Sequence, residues 1–239
     1  MSTLAEFATK TTDAKRDLRF ERKFRVSGIE RSQLEAWILG QPALFRERYR
    51  PRSVNNIYFD TLGLAHYDAH VEGNTQRVKV RVRWYGEWLG DIPRPTLELK
   101  LKDGPVGYKR SYRLEPFALA RQFESSQVTR AIAACDLPAT VRSLLQTVTP
   151  QLVNRYRRRY FESACGRFRM TLDDALEYYA VPQRRRKFGA PVREEGILIL
   201  EVKYPDAAEN DAARVISRVP FPLCRNSKYV SGIAHVYGL

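Results

Sequence analysis

Arginine and lysine recur at every second position in one stretch of this chain after another. In RVKVRVRWYG, Arg77, Lys79, Arg81 and Arg83 alternate with Val78, Val80, Val82 and Trp84. Successive side chains of a β-strand point to opposite faces, so such a segment has one apolar face and one face of cations about 7 Å apart. Like charges at that spacing repel unless an anion or carboxylates face them. Guanidinium forks bind phosphate oxygens bidentately and lysine adds point charge, so the pattern suits a polyanion of closely spaced phosphates.

The arrangement is repeated. Arg19, Glu21, Lys23 and Arg25 oppose Phe20, Phe24 and Val26, while Glu98, Lys100 and Lys102 oppose Leu97, Leu99 and Leu101. Lys109, Ser111 and Arg113 oppose Tyr108, Tyr112 and Leu114; Arg167, Arg169, Thr171 and Asp173 oppose Phe168, Met170 and Leu172; Glu201 and Lys203 oppose Leu198, Leu200 and Val202. A sheet with one wet face explains any single strand of this kind. Six strands dominated by Arg and Lys, with single acids set among them, point to a lumen instead. Glu21, Glu98, Asp173 and Glu201 are then candidates to hold Mg²⁺ or Mn²⁺, hard cations that bind through one or two carboxylates plus substrate phosphates. Tyr58 and Asp60 are candidate nucleotide contacts, although Asp60 equally suits capping of the segment after it.

Composition agrees. Against 27 acids stand 41 Lys and Arg, a net charge of +14 that calls for an anionic partner. Hydrophobic residues at 44% and charged ones at 28% are ordinary for a globular chain of 239 residues, which is long enough for a large core. Cys135, Cys165 and Cys224 form no C-x-x-C pair and no zinc spacing, so a reducing, cytoplasmic setting is expected. There is no signal-peptide h-region and no apolar run long enough to span a membrane.

The elements that must position these residues are mostly strands, predicted at about 19–26, 54–60, 77–85, 96–102, 107–114, 152–161, 167–173 and 197–204. Gly104-Pro105 and ESACG read as hairpin turns. Helical patterns occupy about 30–39, 117–134, 138–147 and 206–218, the last with Asp206 as N-cap and Glu209 as its partner. Residues 1–17 read as a polar leader before a single domain, and 183–196 as a mobile loop containing the basic run Arg184–Lys187. Hairpins without βαβ periodicity predict an α+β fold, an antiparallel sheet with helices outside it, and eight strands suffice to close a barrel.

In order along the chain, FERKF, SVNNIYFDT, KVRVRWYG, LELKLK, GYKRSY, NRYRRRYF, RMTLDDAL, LEVKY and SKYVSG resemble the VTC (vacuolar transporter chaperone) catalytic domain, a polyphosphate polymerase family of the triphosphate tunnel metalloenzymes. The resemblance implies a closed eight-stranded antiparallel tunnel and metal-assisted transfer of the ATP γ-phosphate to a polyphosphate chain. Carried over by motif, it marks Lys23, Arg81, Arg83, Lys100, Lys109, Arg158, Arg169, Lys203 and Lys228 as phosphate-handling residues. It adds Glu98, Tyr156, Arg225 and Ser227 to Tyr58 as substrate contacts, and makes Glu201, with Glu21 and Asp173, the metal set. ATP and polyphosphate are the implied partners, with a membrane-embedded protein beside a cytoplasmic domain. One departure stands out. Where many tunnel phosphohydrolases begin E-x-E-x-K, this chain has Arg19, Glu21 and Lys23. That tilts the reading towards synthesis, with triphosphate hydrolysis and passive binding of polyphosphate or nucleic acid as the alternatives.

Overall fold

The computed structural model describes residues 19–104, 106–182, 186–225 and 227–239. The leader at 1–17, Pro105 of the predicted turn, and Arg184 and Arg185 of the basic run lie outside them. The alternating segments form the strands β1 (Arg19–Val26), β2 (Arg46–Asp60), β3 (Gln76–Tyr85), β5 (Thr96–Asp103), β6 (Val106–Arg113), β8 (Thr149–Glu162), β9 (Arg169–Ala180) and β11 (Leu198–Pro205). They make one antiparallel sheet in the order β1-β11-β9-β8-β2-β3-β5-β6, with the short β10 (Val192–Arg193) added on β9. A small second sheet pairs β4 (Gly90–Ile92) with β7 (Phe117–Leu119).

The sheet curls, but hydrogen bonding does not close it. Among the described residues no pairing joins β1 to β6, so the expected closed eight-stranded barrel is corrected to an open, curled sheet of nine strands. The segment before the C-terminal helix covers the free edge of β1: Leu223 bridges Phe24, and the Cys224 amide donates to the Lys23 carbonyl at 2.9 Å.

Apolar faces point outwards and are covered by helices. Val78, Val80, Val82, Trp84, Leu97, Leu99 and Leu101 pack beneath α3 (Ser125–Ala133) and α4 (Ala139–Gln146) through Val128, Ile132 and Val141. Phe24, Val26, Met170, Leu172, Leu200 and Val202 pack against α1 (Arg31–Leu39) and α5 (Glu209–Ile216). A third cluster lies inside the curl, where α6 (Lys228–Tyr237) places Tyr229 and Ile233 against Tyr58, Leu152, Tyr156 and Tyr178. Gly232 makes that approach possible: a Cβ there would come within 2.6 Å of the Leu152 and Tyr178 side chains. Gly232→Ala is therefore expected to cost about 1–3 kcal/mol of stability, read as a lowered urea midpoint. An unchanged midpoint would contradict this placement of α6.

Several predicted elements shift. Residues 117–134 begin not as helix but as β7, because Phe117 to Leu119 pair with β4. Asp206 starts a 3₁₀ turn, and α5 begins at Glu209 with no side-chain cap. Arg167 precedes β9 and pairs outside with Asp211 at 2.7 Å. The 183–196 loop is anchored where it is described: Phe188 packs on Trp88, Phe123 and Tyr179, and β10 pairs with β9. The helix α2 (Ala65–Val71), AHYDAHV, is seven residues long, too short to show a helical period, and its apolar residues alternate instead.

Candidate active site

The polar faces of the curled strands enclose a cavity of about 260 Å³. From β1 come Glu21 and Lys23, from β3 Lys79, Arg81 and Arg83, from β5 and β6 Glu98, Lys100 and Lys109. Tyr58, Tyr156, Arg158, Glu201 and Lys203 enter from β2, β8 and β11, and Ser227 and Lys228 from the start of α6. Alternation places every second residue inside, and the register sets partners opposite one another: Arg81 faces Glu98, and Lys23 faces Glu201.

Three carboxylate-centred groups fix the cations. Glu98 accepts from Arg81 Nε at 2.8 Å and from Lys109 Nζ at 2.6 Å, with Arg83 Nη1 at 3.6 Å. Burial works against its charge, but Arg81 and Arg83 outweigh burial and hold the carboxyl down at about 2. Arg83 also donates to Asn56 Oδ1 at 2.8 Å, which Asn154 supports through a buried bond between Asn56 Nδ2 and Asn154 Oδ1. In the second group, Asp173 is fully buried and takes Arg158 through both oxygens, at 2.5 and 2.7 Å, and Lys228 at 2.6 Å. In the third, Glu201 pairs with Lys203, and Glu21 pairs with Lys23 at 2.7 Å and with Lys203 at 3.6 Å. Burial disfavours both glutamates' charge, yet the surrounding lysines keep both below the usual range.

The VTC domain model matches residues 14–237. The chain belongs to the VTC domain family. No curated protein matches it significantly. Among solved structures, the PH1819 protein from Pyrococcus horikoshii OT3 aligns at TM-score 0.46 and 11% identity, over 89% of this chain and 95% of that one. A "putative adenylate cyclase" from Vibrio parahaemolyticus aligns at TM-score 0.45 and 13% identity, over 84% of each chain. None of the helices described is long and apolar enough to cross a membrane.

Within this VTC domain the structure gathers most of the sequence-marked residues and sets Asp173, Arg169, Arg225 and Asp60 apart. Asp173 lies behind Arg158 and Lys228 rather than on the cavity wall. Arg169 is on the same face of β9 but beyond the cavity, more than half exposed and 3.2 Å from Glu162. Arg225 is exposed, two residues before Ser227. Arg155, Arg157 and Arg159 point outwards and pair with Glu177, Asp174 and Glu35, acids that Arg193 and Arg31 share. Asp60 is not in the cavity wall: its oxygens cap α2 at the His66 and Tyr67 amides and accept from the Tyr229 hydroxyl, clipping α6 to β2.

The carried-over motifs mark Arg81 and Arg83 but not Lys79, and the structure gives Lys79 a distinct state. Its Nζ donates to Ser227 Oγ at 2.8 Å, the same oxygen that caps α6 at the Val230 amide. Burial, then the fields of Lys23, Lys100, Arg81 and Arg77, push Lys79 down to about 7. Above that pH it is largely neutral until an anion restores its proton. Binding of tripolyphosphate at pH 8 is thus expected to take up about one proton, and affinity to fall by up to about tenfold per unit as pH rises from 7 to 9. Calorimetry in buffers of different ionisation enthalpy measures this uptake, and Lys79→Met should abolish it. Equal heats in all buffers for the wild type would contradict the assignment.

Proposed function

We propose that this domain is a polyphosphate polymerase, transferring the ATP γ-phosphate to the end of an inorganic polyphosphate chain inside the cationic lumen. The observation that carries the reading is the lining itself: nine lysines and arginines against three glutamates around one cavity. Even with Asp173 paired to Arg158 and Lys228 behind the wall and Lys79 pushed down to about 7, cations outnumber acids here, and that excess needs a partner with several closely spaced negative charges. Arg81, Arg83 and Arg158 are held in place by Glu98, Asn56 and Asp173, so their remaining N–H groups are preorganised for phosphate oxygens. Lys23, Lys100, Lys109 and Lys203 add point charge on more adaptable stems.

In the proposed step an oxygen of the acceptor chain's terminal phosphate attacks the γ-phosphorus. The bond from γ-phosphorus to the bridging oxygen of the β-phosphate breaks, ADP leaves, and the acceptor grows by one phosphate. The attacking phosphate is already ionised, so neither a protein nucleophile nor a general base is required. Charge develops on the oxygens around the transferring phosphorus, where the lumen's fixed guanidinium groups would meet it.

A divalent cation fits the donor set. Glu21 and Glu201 lie close enough for the charge of Glu201 to oppose ionisation of Glu21, and two carboxylates plus phosphate oxygens and water are a suitable shell for Mg²⁺ or Mn²⁺. Held by Glu21 and Glu201, such a cation would supply positive charge that offsets part of the charge of the phosphates. Asp173, with both oxygens engaged by Arg158 and Lys228, stands apart from this pair. A cytoplasmic setting beside a membrane-embedded partner that takes up the product completes the proposal.

Incubation with ATP, Mn²⁺ and a short polyphosphate primer tests it on a gel. A ladder of lengthening chains is expected. Phosphate release without elongation would select hydrolysis. Steeply salt-dependent binding without turnover would select a passive binder.

A further inference from the structure

Beyond Arg83 and Arg158, three tyrosines and an arginine gather at the end of the lumen. The Arg52 guanidinium lies 4.9 Å from the Tyr49 ring centroid, 5.8 Å from that of Tyr160 and 5.9 Å from that of Tyr85. Tyr49 and Tyr160 meet edge to face at 5.7 Å. Tyr85 follows Arg83 by two residues on β3, and Tyr160 follows Arg158 by two on β8, so both rings continue the lumen face by about 7 Å. The register sets Arg52 opposite Arg158 and Tyr49 opposite Tyr160, against the phosphate-binding wall; burial, with Tyr85 and Tyr156, pushes the Tyr160 hydroxyl up to about 12 although Arg158 and Arg52 oppose the rise.

Packing does not account for these rings. None of the three belongs to a hydrophobic core cluster among the described residues. Tyr49 is 47% exposed and Tyr85 49%; the Arg48 guanidinium also lies 5.8 Å from the Tyr49 centroid, so a base would stack on Tyr85 or displace that arginine from Tyr49. Flat aromatic surface with an adjacent guanidinium is what stacks a nucleobase, because every base offers a π-face and arginine adds cation–π attraction.

We propose that Tyr49, Tyr85, Tyr160 and Arg52 form a base-stacking subsite, in which the base of a nucleoside triphosphate lies at the lumen mouth while its phosphates run inwards to Arg83, Arg158 and Arg81. This rests on the reading of the lumen as a phosphate site. It makes the nucleoside, and not only the triphosphate, a determinant of donor binding. Stacking needs no particular hydrogen-bond pattern, so ATP and GTP should bind alike.

The experiment compares ATP with inorganic tripolyphosphate by calorimetry, on the wild type and on Tyr85→Ala, Tyr49→Ala and Tyr85→Trp. The alanine variants are expected to weaken ATP by about 5- to 150-fold, the range for loss of one stacked base. Tripolyphosphate should change by less than about twofold, since no phosphate contact is removed. Tyr85→Trp should bind ATP at least as well as the wild type. Parallel loss of both ligands would assign the cluster to bracing β2 against β8 and overturn the subsite. Unchanged ATP binding in both alanine variants would overturn it too, while leaving the lumen reading intact. Absence of chain growth in the polymerisation assay would overturn the polymerase reading without touching this comparison.

Discussion

Asp173→Asn is expected to destabilise the fold by about 3–5 kcal/mol, the cost of leaving buried charges without their partner. The carboxylate is fully buried, and its oxygens hold Arg158 from β8 and Lys228 from α6. An amide can accept from one of them but cancels neither charge. Arg158 and Lys228 are themselves mostly buried, at 12% and 11% side-chain exposure, so water cannot take over. Urea unfolding should show a clearly lower midpoint, and an unchanged midpoint would contradict the role. The pH dependence has a defined sign. Burial raises the Asp173 pKa, but Arg158 and Lys228 outweigh it and hold the group below its ordinary value. Its contribution is therefore fully present above the unfolded pKa of about 4 and is lost as pH falls through the folded value. The wild type should lose stability on acidification more steeply than the variant.

Glu201→Gln is expected to lower phosphoryl transfer by about 100- to 1,000-fold, the range for removing one preorganised electrostatic group at a reacting centre. The side chain is nearly buried, faces Lys203 and Lys23, and shares the lumen floor with Glu21. Glutamine preserves the volume, and Lys203 at 37% exposure can turn to solvent, so the fold should persist. Metal-free binding of tripolyphosphate should tighten, because the lumen loses a negative charge. Rate and affinity thus move in opposite directions. A variant that kept full turnover would remove Glu201 from the reaction, and one that lost rate and metal-free affinity together would point to a damaged fold.

Much of this site was legible because period-two alternation survives in local sequence. Lys23 of β1, Lys79, Arg81 and Arg83 of β3, Lys100 of β5 and Lys203 of β11 turn inwards as their spacing predicted, and the strand bounds of β3 shift by one residue only. Closure was not legible, since whether β1 meets β6 depends on the accumulated curl of the whole sheet, not on either strand. The bulge at Ala175, whose φ is +51°, was invisible for a different reason. Alanine carries no signal for a left-handed backbone, yet the bulge switches β9 so that Asp173, Leu176 and Tyr178 all face inwards. The half of β2 from Arg46 to Ser53 escaped notice because its polar, Pro51-containing run has no apolar period. That omission hid Tyr49 and Arg52. Helix α6 was missed as an element although Ser227 and Lys228 were marked, and its Tyr229–Ile233 spacing was the available signal.

The lumen, and not the outer surface, is proposed to hold the phosphate chain. A crystal of the protein soaked in tripolyphosphate distinguishes the two. Phosphate density is expected between Arg81, Arg83 and Lys228, continuing past Arg158. Phosphates bound only on the outer face, with the lumen side chains still paired to one another, would contradict it.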